Sequence, residues 1–171
     1  MKEVKRRSIQ EIAVRDVVEL IESVSDNKTL NVFIHSCNCF NNMGAGIAKA
    51  LSDAYPVVAS CENIYEPGDK KKLGRYTFAY IKPSVVVANA YSQYNYGWLN
   101  ALDSSGRQTD YDALQKALTS IRDDFASRSP HPIVFYAPLM IGAGNAKGDP
   151  EIIQPMVKEI FEDHDLILFY I

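Results

Sequence analysis

The sequence predicts an α/β protein with a central sheet covered by helices on both faces. Short apolar runs at 30–35, 85–91 and 133–139 read as buried strands, and segments with helical spacing alternate with them. Two glycine-bearing loops, at Gly44-Ala45-Gly46 and Gly142-Ala143-Gly144, each stand between a strand and a helix. A chain of 171 residues has room for a substantial core, and no break in composition divides it, so one domain over 1–171 is expected.

Each element has its own signal. Ser8 to Val14 is a weak strand, and Val17, Val18, Leu20, Ile21 and Val24 recur at helical spacing, which puts Asp16 near a strand-to-helix junction. Ser25 to Lys28 closes that helix, and Leu30 to His35 is a buried strand. From Gly44 the pattern Ile47, Ala48, Leu51, Ala54, Tyr55 is helical until Pro56 ends or kinks it. Cys61 to Leu73 is polar; its Lys70-Lys71-Lys72 run reads as a solvated loop, with a docking patch for an anionic substrate as the alternative.

Arg75 to Lys82 and Val85 to Tyr91 form an antiparallel hairpin that feeds a buried central strand. Tyr91 to Arg107 reads as a long loop carrying Tyr91, Tyr94, Tyr96 and Trp98, suited either to covering a ligand or to packing over the sheet edge. Thr109 is the candidate cap of a helix bearing Leu114, Leu118, Ile121 and Phe125 on one face. After the strand Ile133 to Leu139 and the second glycine loop, Asp149 caps a helix that Pro150 opens, and Leu166 to Ile171 is a terminal strand.

A net charge of -3 and a pI near 5.6 argue against a general nucleic-acid binder. Lys2, Lys5, Arg6 and Arg7 read as a solvated terminus, and without a membrane-length apolar run or signal-peptide core the protein is expected to be cytoplasmic. Cys37, Cys39 and Cys61 fit a reducing compartment. His35, Cys37 and Cys39 alternate and would share a strand face, but no fourth ligand follows with zinc spacing, so buried thiols and no metal are expected.

Both glycine loops sit where backbone amides at a helix start are available to an anion, and together they suit a diphosphate. Neither is a P-loop, and Lys49 stands where a dinucleotide fingerprint needs its third glycine, which disfavours a nicotinamide dehydrogenase. Asp149 is a candidate for orienting a water in chemistry on a ligand held there; its N-cap role before Pro150 explains it without any catalysis.

Ile34-His35-Ser36-Cys37-Asn38-Cys39, then Met43-Gly44-Ala45-Gly46-Ile47-Ala48-Lys49, with Ile141-Gly142-Ala143-Gly144 later, resembles a macro domain. More narrowly it is similar to the single-domain branch of ADP-ribose 1''-phosphate phosphatases and phage-type macro proteins. The resemblance implies a three-layer α/β/α fold with a mixed sheet and a cleft for ADP-ribose. By position, Asp16 would accept from the adenine amine with the Val17 backbone nearby, although Arg15 replaces the family's usual glycine. Asn38 and Asn41 or Asn42 would face the distal ribose. Gly44, Ala45, Gly46 and Ile47, with Gly142, Ala143, Gly144 and Asn145, would embrace the diphosphate. His35 occupies the position implicated in catalysis in the phosphatase branch.

The function implied first is hydrolysis of ADP-ribose 1''-phosphate to ADP-ribose and phosphate, without cofactor. The alternatives are removal of ADP-ribose from modified macromolecules and a non-catalytic reader. The lysine of macro domains that free glutamate from ADP-ribose falls here at Gln93, and an amide forms no lysyl intermediate.

Overall fold

The computed structural model describes residues 7–171, apart from the side chain of Trp98; Lys2, Lys5 and Arg6 of the basic cluster lie outside the described residues. In chain order the elements are β1 (Ile9–Ala13), α1 (Val17–Glu22), β2 (Leu30–Asn38), α2 (Gly46–Ala54), α3 (Pro56–Ser60), β3 (Tyr76–Lys82), β4 (Val85–Gln93), α4 (Tyr111–Arg128), β5 (Ile133–Pro138), α5 (Pro150–Ile160) and β6 (Asp165–Tyr170). Short 3-10 turns occupy Cys61–Ile64, Lys70–Lys72 and Trp98–Asn100.

The six strands form one mixed sheet in the order β1-β6-β5-β2-β4-β3. Every neighbouring pair is parallel except β3 with β4. Parallel strands that share a direction bring the carboxyl ends of β2, β4 and β5 to one edge, and that edge carries the loops at 39–45, 94–110 and 139–149.

Alternation along β2 divides the core between two layers of helix. Val32 and Ile34 pack with Leu114, Leu118 and Ile121 of α4 and with Ile153 and Val157 of α5. Phe33 belongs to the other face, with Ile21 of α1, Leu51 of α2 and Val58 of α3, and it stacks on Tyr136 with ring centroids 4.1 Å apart. Truncating such a buried ring to alanine costs about 3–5 kcal/mol. This is the three-layer α/β/α arrangement with a mixed sheet that the sequence led us to expect.

Four local expectations need correction. β2 extends past His35 to Asn38, because its polar residues at 35–38 pair with β4 as the apolar ones do. β4 runs beyond Tyr91, which is fully buried as part of the strand, to Gln93, so the long loop begins only at Tyr94. The cap of α4 is Asp110, whose Oδ1 accepts from the Ala113 amide at 3.0 Å, and not Thr109. Lys72 is no part of a solvated run. It has 0% exposure, with its ammonium 3.8 Å from the Glu62 carboxylate and 4.3 Å from the centre of the Tyr91 ring.

Candidate functional site

A cleft of about 660 Å³ opens at the shared carboxyl edge, between the ends of β2, β4 and β5 and the two glycine loops. Among the described residues its lining contains no lysine, arginine, aspartate or glutamate. Charge in the cleft therefore comes from the backbone.

The first loop is shaped by asparagines. Asn38, at the end of β2, accepts from the Phe40 amide at 2.9 Å through Oδ1 and donates from Nδ2 to the Asn42 carbonyl at 2.8 Å. Asn42 in turn accepts from the Gly44 amide at 2.9 Å. Asn41 takes a left-handed conformation, φ 55°, and turns away from the cleft. Its Oδ1 accepts from the Lys72 ammonium, and its Nδ2 donates to the Tyr65 carbonyl at 3.4 Å. The buried Lys72–Glu62 pair thus braces the back of the loop, while burial raises the Glu62 pKa against the lowering effect of Lys72.

The loop delivers the chain to α2 without a side-chain cap. Ala45 occupies the N-cap in extended conformation, and Gly46 follows at φ +59°, a value that favours glycine. The amides of Gly46, Ile47 and Ala48 have no partner among the described residues, as the geometry of an uncapped helix start requires.

The second loop is built differently. Asp149 caps α5, accepting from the Glu151 amide at 2.9 Å, and Pro150 takes a position where a missing N–H costs nothing. The unpaired donors lie earlier, at the amides of Gly144, Asn145 and Ala146, which have no partner among the described residues. The two loops approach closely: a Cβ placed on Gly46 would lie 3.7 Å from Asn145 Nδ2.

No family model matches the chain. The uncharacterised 17.5 kDa protein of the tk-vs intergenic region of Enterobacteria phage T4 is 31% identical over 124 residues, covering 70% of this chain and 73% of that protein. A macrodomain protein from Streptomyces coelicolor aligns with a TM-score of 0.68 over 96% of this chain and 99% of its own, at 18% identity. The chain has the macro domain fold. A Thermosipho africanus DarTG structure solved in complex with ADP-ribose aligns with a TM-score of 0.61 at 13% identity, over 82% of this chain and 38% of that one.

Within this fold the cleft brings together most of the residues expected to contact a ligand. Asn38, Asn42, Gly44, Ala45, Gly46 and Ile47 line one wall, and Gly142, Gly144 and Asn145 the other. Asn41 and Ala143 do not reach it. Asn41 is held behind by Lys72, and the Ala143 amide closes a turn onto the Met140 carbonyl at 2.8 Å. Asp16 and Val17 also lie outside the lining: Asp16 caps α1 by accepting from the Glu19 amide at 2.8 Å, and Val17 is the buried first residue of that helix.

The two expected catalytic side chains are engaged elsewhere. Asp149 is occupied as the cap of α5 and does not line the cleft. His35 borders the cleft, but its residue is only 2% exposed and its ring lies 2.5 Å from Asn89 Oδ1. The Asn89 amide nitrogen donates to the Val58 carbonyl at 2.9 Å, so Oδ1 faces the ring and Nε2 carries the proton. Burial lowers the His35 pKa to about 4, which leaves the imidazole neutral at pH 7. Cys37 lies 3.6 Å from both ring nitrogens, and burial raises its thiol well above the ordinary value. Among the described residues no group of three or more His, Cys, Asp or Glu side chains could hold a metal ion.

Sequence reasoning missed Ser36, Met140 and Ala146 in the lining, and it named Gln93 only for lacking an amine. The signal shared by Ser36, Gln93 and Met140 is position, within two residues of the carboxyl ends of β2, β4 and β5, whereas Ala146 lies farther along the second glycine loop. Tyr96, from the aromatic loop, also reaches the cleft and remains 45% exposed, whereas Tyr94 packs edge-on against Phe40 at 5.1 Å.

Proposed function

We propose that the cleft binds ADP-ribose, with the diphosphate between the first turn of α2 and the 144–146 segment. The observation that carries this reading is the pair of facing amide groups, Gly46 to Ala48 and Gly144 to Ala146, all without partners among the described residues. Such amides, reinforced by the dipole of α2, suit an anion that exposes many acceptor oxygens. The distal ribose then meets Asn38 and Asn42, and Asp16 retains Oδ2 for an adenine amine at the start of α1. The ADP-ribose held by the Thermosipho DarTG neighbour supports the same ligand.

Hydrolysis of ADP-ribose 1''-phosphate is the second reading. It is favoured by the same donors, which would hold a phosphoryl oxygen during attack by water as readily as a resting phosphate. The proton would pass through water or through the neutral ring of His35, because no charged side chain among the described residues lines the cleft. Release of ADP-ribose from a modified macromolecule would likewise proceed by water, since Gln93 supplies no nucleophile.

Calorimetric titration with ADP-ribose, followed by ADP-ribose 1''-phosphate with inorganic phosphate monitored, tests both readings. Saturable binding with phosphate release supports both. Binding without release retains the first and removes the second. A folded protein that binds neither compound contradicts both.

A further inference from the structure

Thr109 lies outside the cleft lining and has 0% exposure, yet it holds the second loop at both ends. Its Oγ1 donates to the Gly142 carbonyl at 2.6 Å, and its amide, with that of Gln108, donates to the Ala146 carbonyl at 3.3 and 2.7 Å. Gly142, at φ +70°, comes so close that a Cβ there would stand 3.2 Å from Thr109 Oγ1. Gln108 also donates from Nε2 to the Gly97 carbonyl, which joins the same anchor to the aromatic loop.

These bonds fix the peptide planes on either side of the three unpaired amides. The Gly142 carbonyl is shared with the Gly148 amide at 2.8 Å, and the plane after Ala146 also carries the Lys147 amide, which donates to the Gly144 carbonyl at 3.0 Å. With the flanking planes immobilised from behind, Gly144, Asn145 and Ala146 form an arch whose donors have no partner among the described residues. We propose that Thr109 is a positioning residue, setting this arch and so the affinity for a diphosphate ligand without touching it. The proposal rests on the ADP-ribose reading above for the ligand, and on the hydrogen bonds alone for the loop.

Two substitutions in the full chain pull the roles of Thr109 apart. Thr109→Val keeps the shape and loses the hydroxyl; Thr109→Ser keeps the hydroxyl and loses a buried methyl. Thr109→Val is expected to weaken ADP-ribose binding about fivefold to tenfold. It should also lower the ¹⁵N order parameters of Gly144, Asn145 and Ala146 from roughly 0.85 toward 0.6. Thr109→Ser should retain wild-type affinity and loop order even though its melting temperature falls. Affinity that tracks melting temperature in both variants, or loop order unchanged in Thr109→Val, overturns the proposal. If the wild-type protein binds no ADP-ribose, the ligand reading fails, and the order parameters still decide whether Thr109 sets the arch.

Discussion

The loop after β2 ends in a helix whose first turn is uncapped, whereas the loop after β5 ends in a helix capped by Asp149 and opened by Pro150. The first loop therefore offers its donors on the helix itself, at Gly46 to Ala48. The second offers them ahead of its helix, at Gly144 to Ala146. Ala45 at an N-cap forgoes about 1 kcal/mol that a serine or aspartate would contribute there. That loss is intelligible if the free amides have work to do with a ligand. The supports differ as well: the first loop rests on a buried charge pair through Asn41, and the second on a neutral hydroxyl and two amides.

The largest effect expected from this contrast is at the charged support. Lys72→Met leaves Glu62 buried without its counter-charge and should destabilise the protein by about 3–5 kcal/mol in chemical denaturation. Combining it with Glu62→Met should restore much of the loss. A single variant as stable as wild type would show that the pair does not brace the loop.

Next in size is exchange of the cap. Ala45→Asp should stabilise α2 by about 1 kcal/mol while closing the free amides and placing a negative charge beside the diphosphate. Affinity for ADP-ribose should fall by about two orders of magnitude, ~2.7 kcal/mol. Unchanged affinity with a raised melting temperature would move the diphosphate away from α2.

The reciprocal change is the smallest. Asp149→Ala should cost about 1 kcal/mol of stability through the lost cap and leave ADP-ribose binding unchanged. A selective loss of phosphate release, with stability intact, would return Asp149 to the chemistry.

The sheet, its helices and both glycine loops were legible because hydrophobic period and turn chemistry are local. Val32, Phe33 and Ile34 declare a buried strand wherever the chain places them, and a Gly-Ala-Gly between a strand and a helix keeps its meaning in isolation. Lys72 was not legible, because three consecutive lysines look solvated until Glu62, Asn41 and Tyr91 converge on one of them from separate segments. Thr109 and Asp110 are both good caps, and only the path of the chain assigns Asp110 to α4 and frees Thr109 for Gly142. His35 was visible as a residue at the end of a strand, but the depth of its burial and its bond to Asn89 depend on register with β4. A contact of Asp16 with adenine was the least legible expectation, since Asp16 satisfies the ordinary requirement of a helix cap.

The most direct measurement is a ¹⁵N amide titration of the wild-type protein with ADP-ribose. The expected result is saturable binding whose largest shifts fall on Gly46, Ile47 and Ala48 and on Gly144, Asn145 and Ala146 together. Saturable binding that leaves both groups of amides unshifted would contradict the placement of the diphosphate between the two loops.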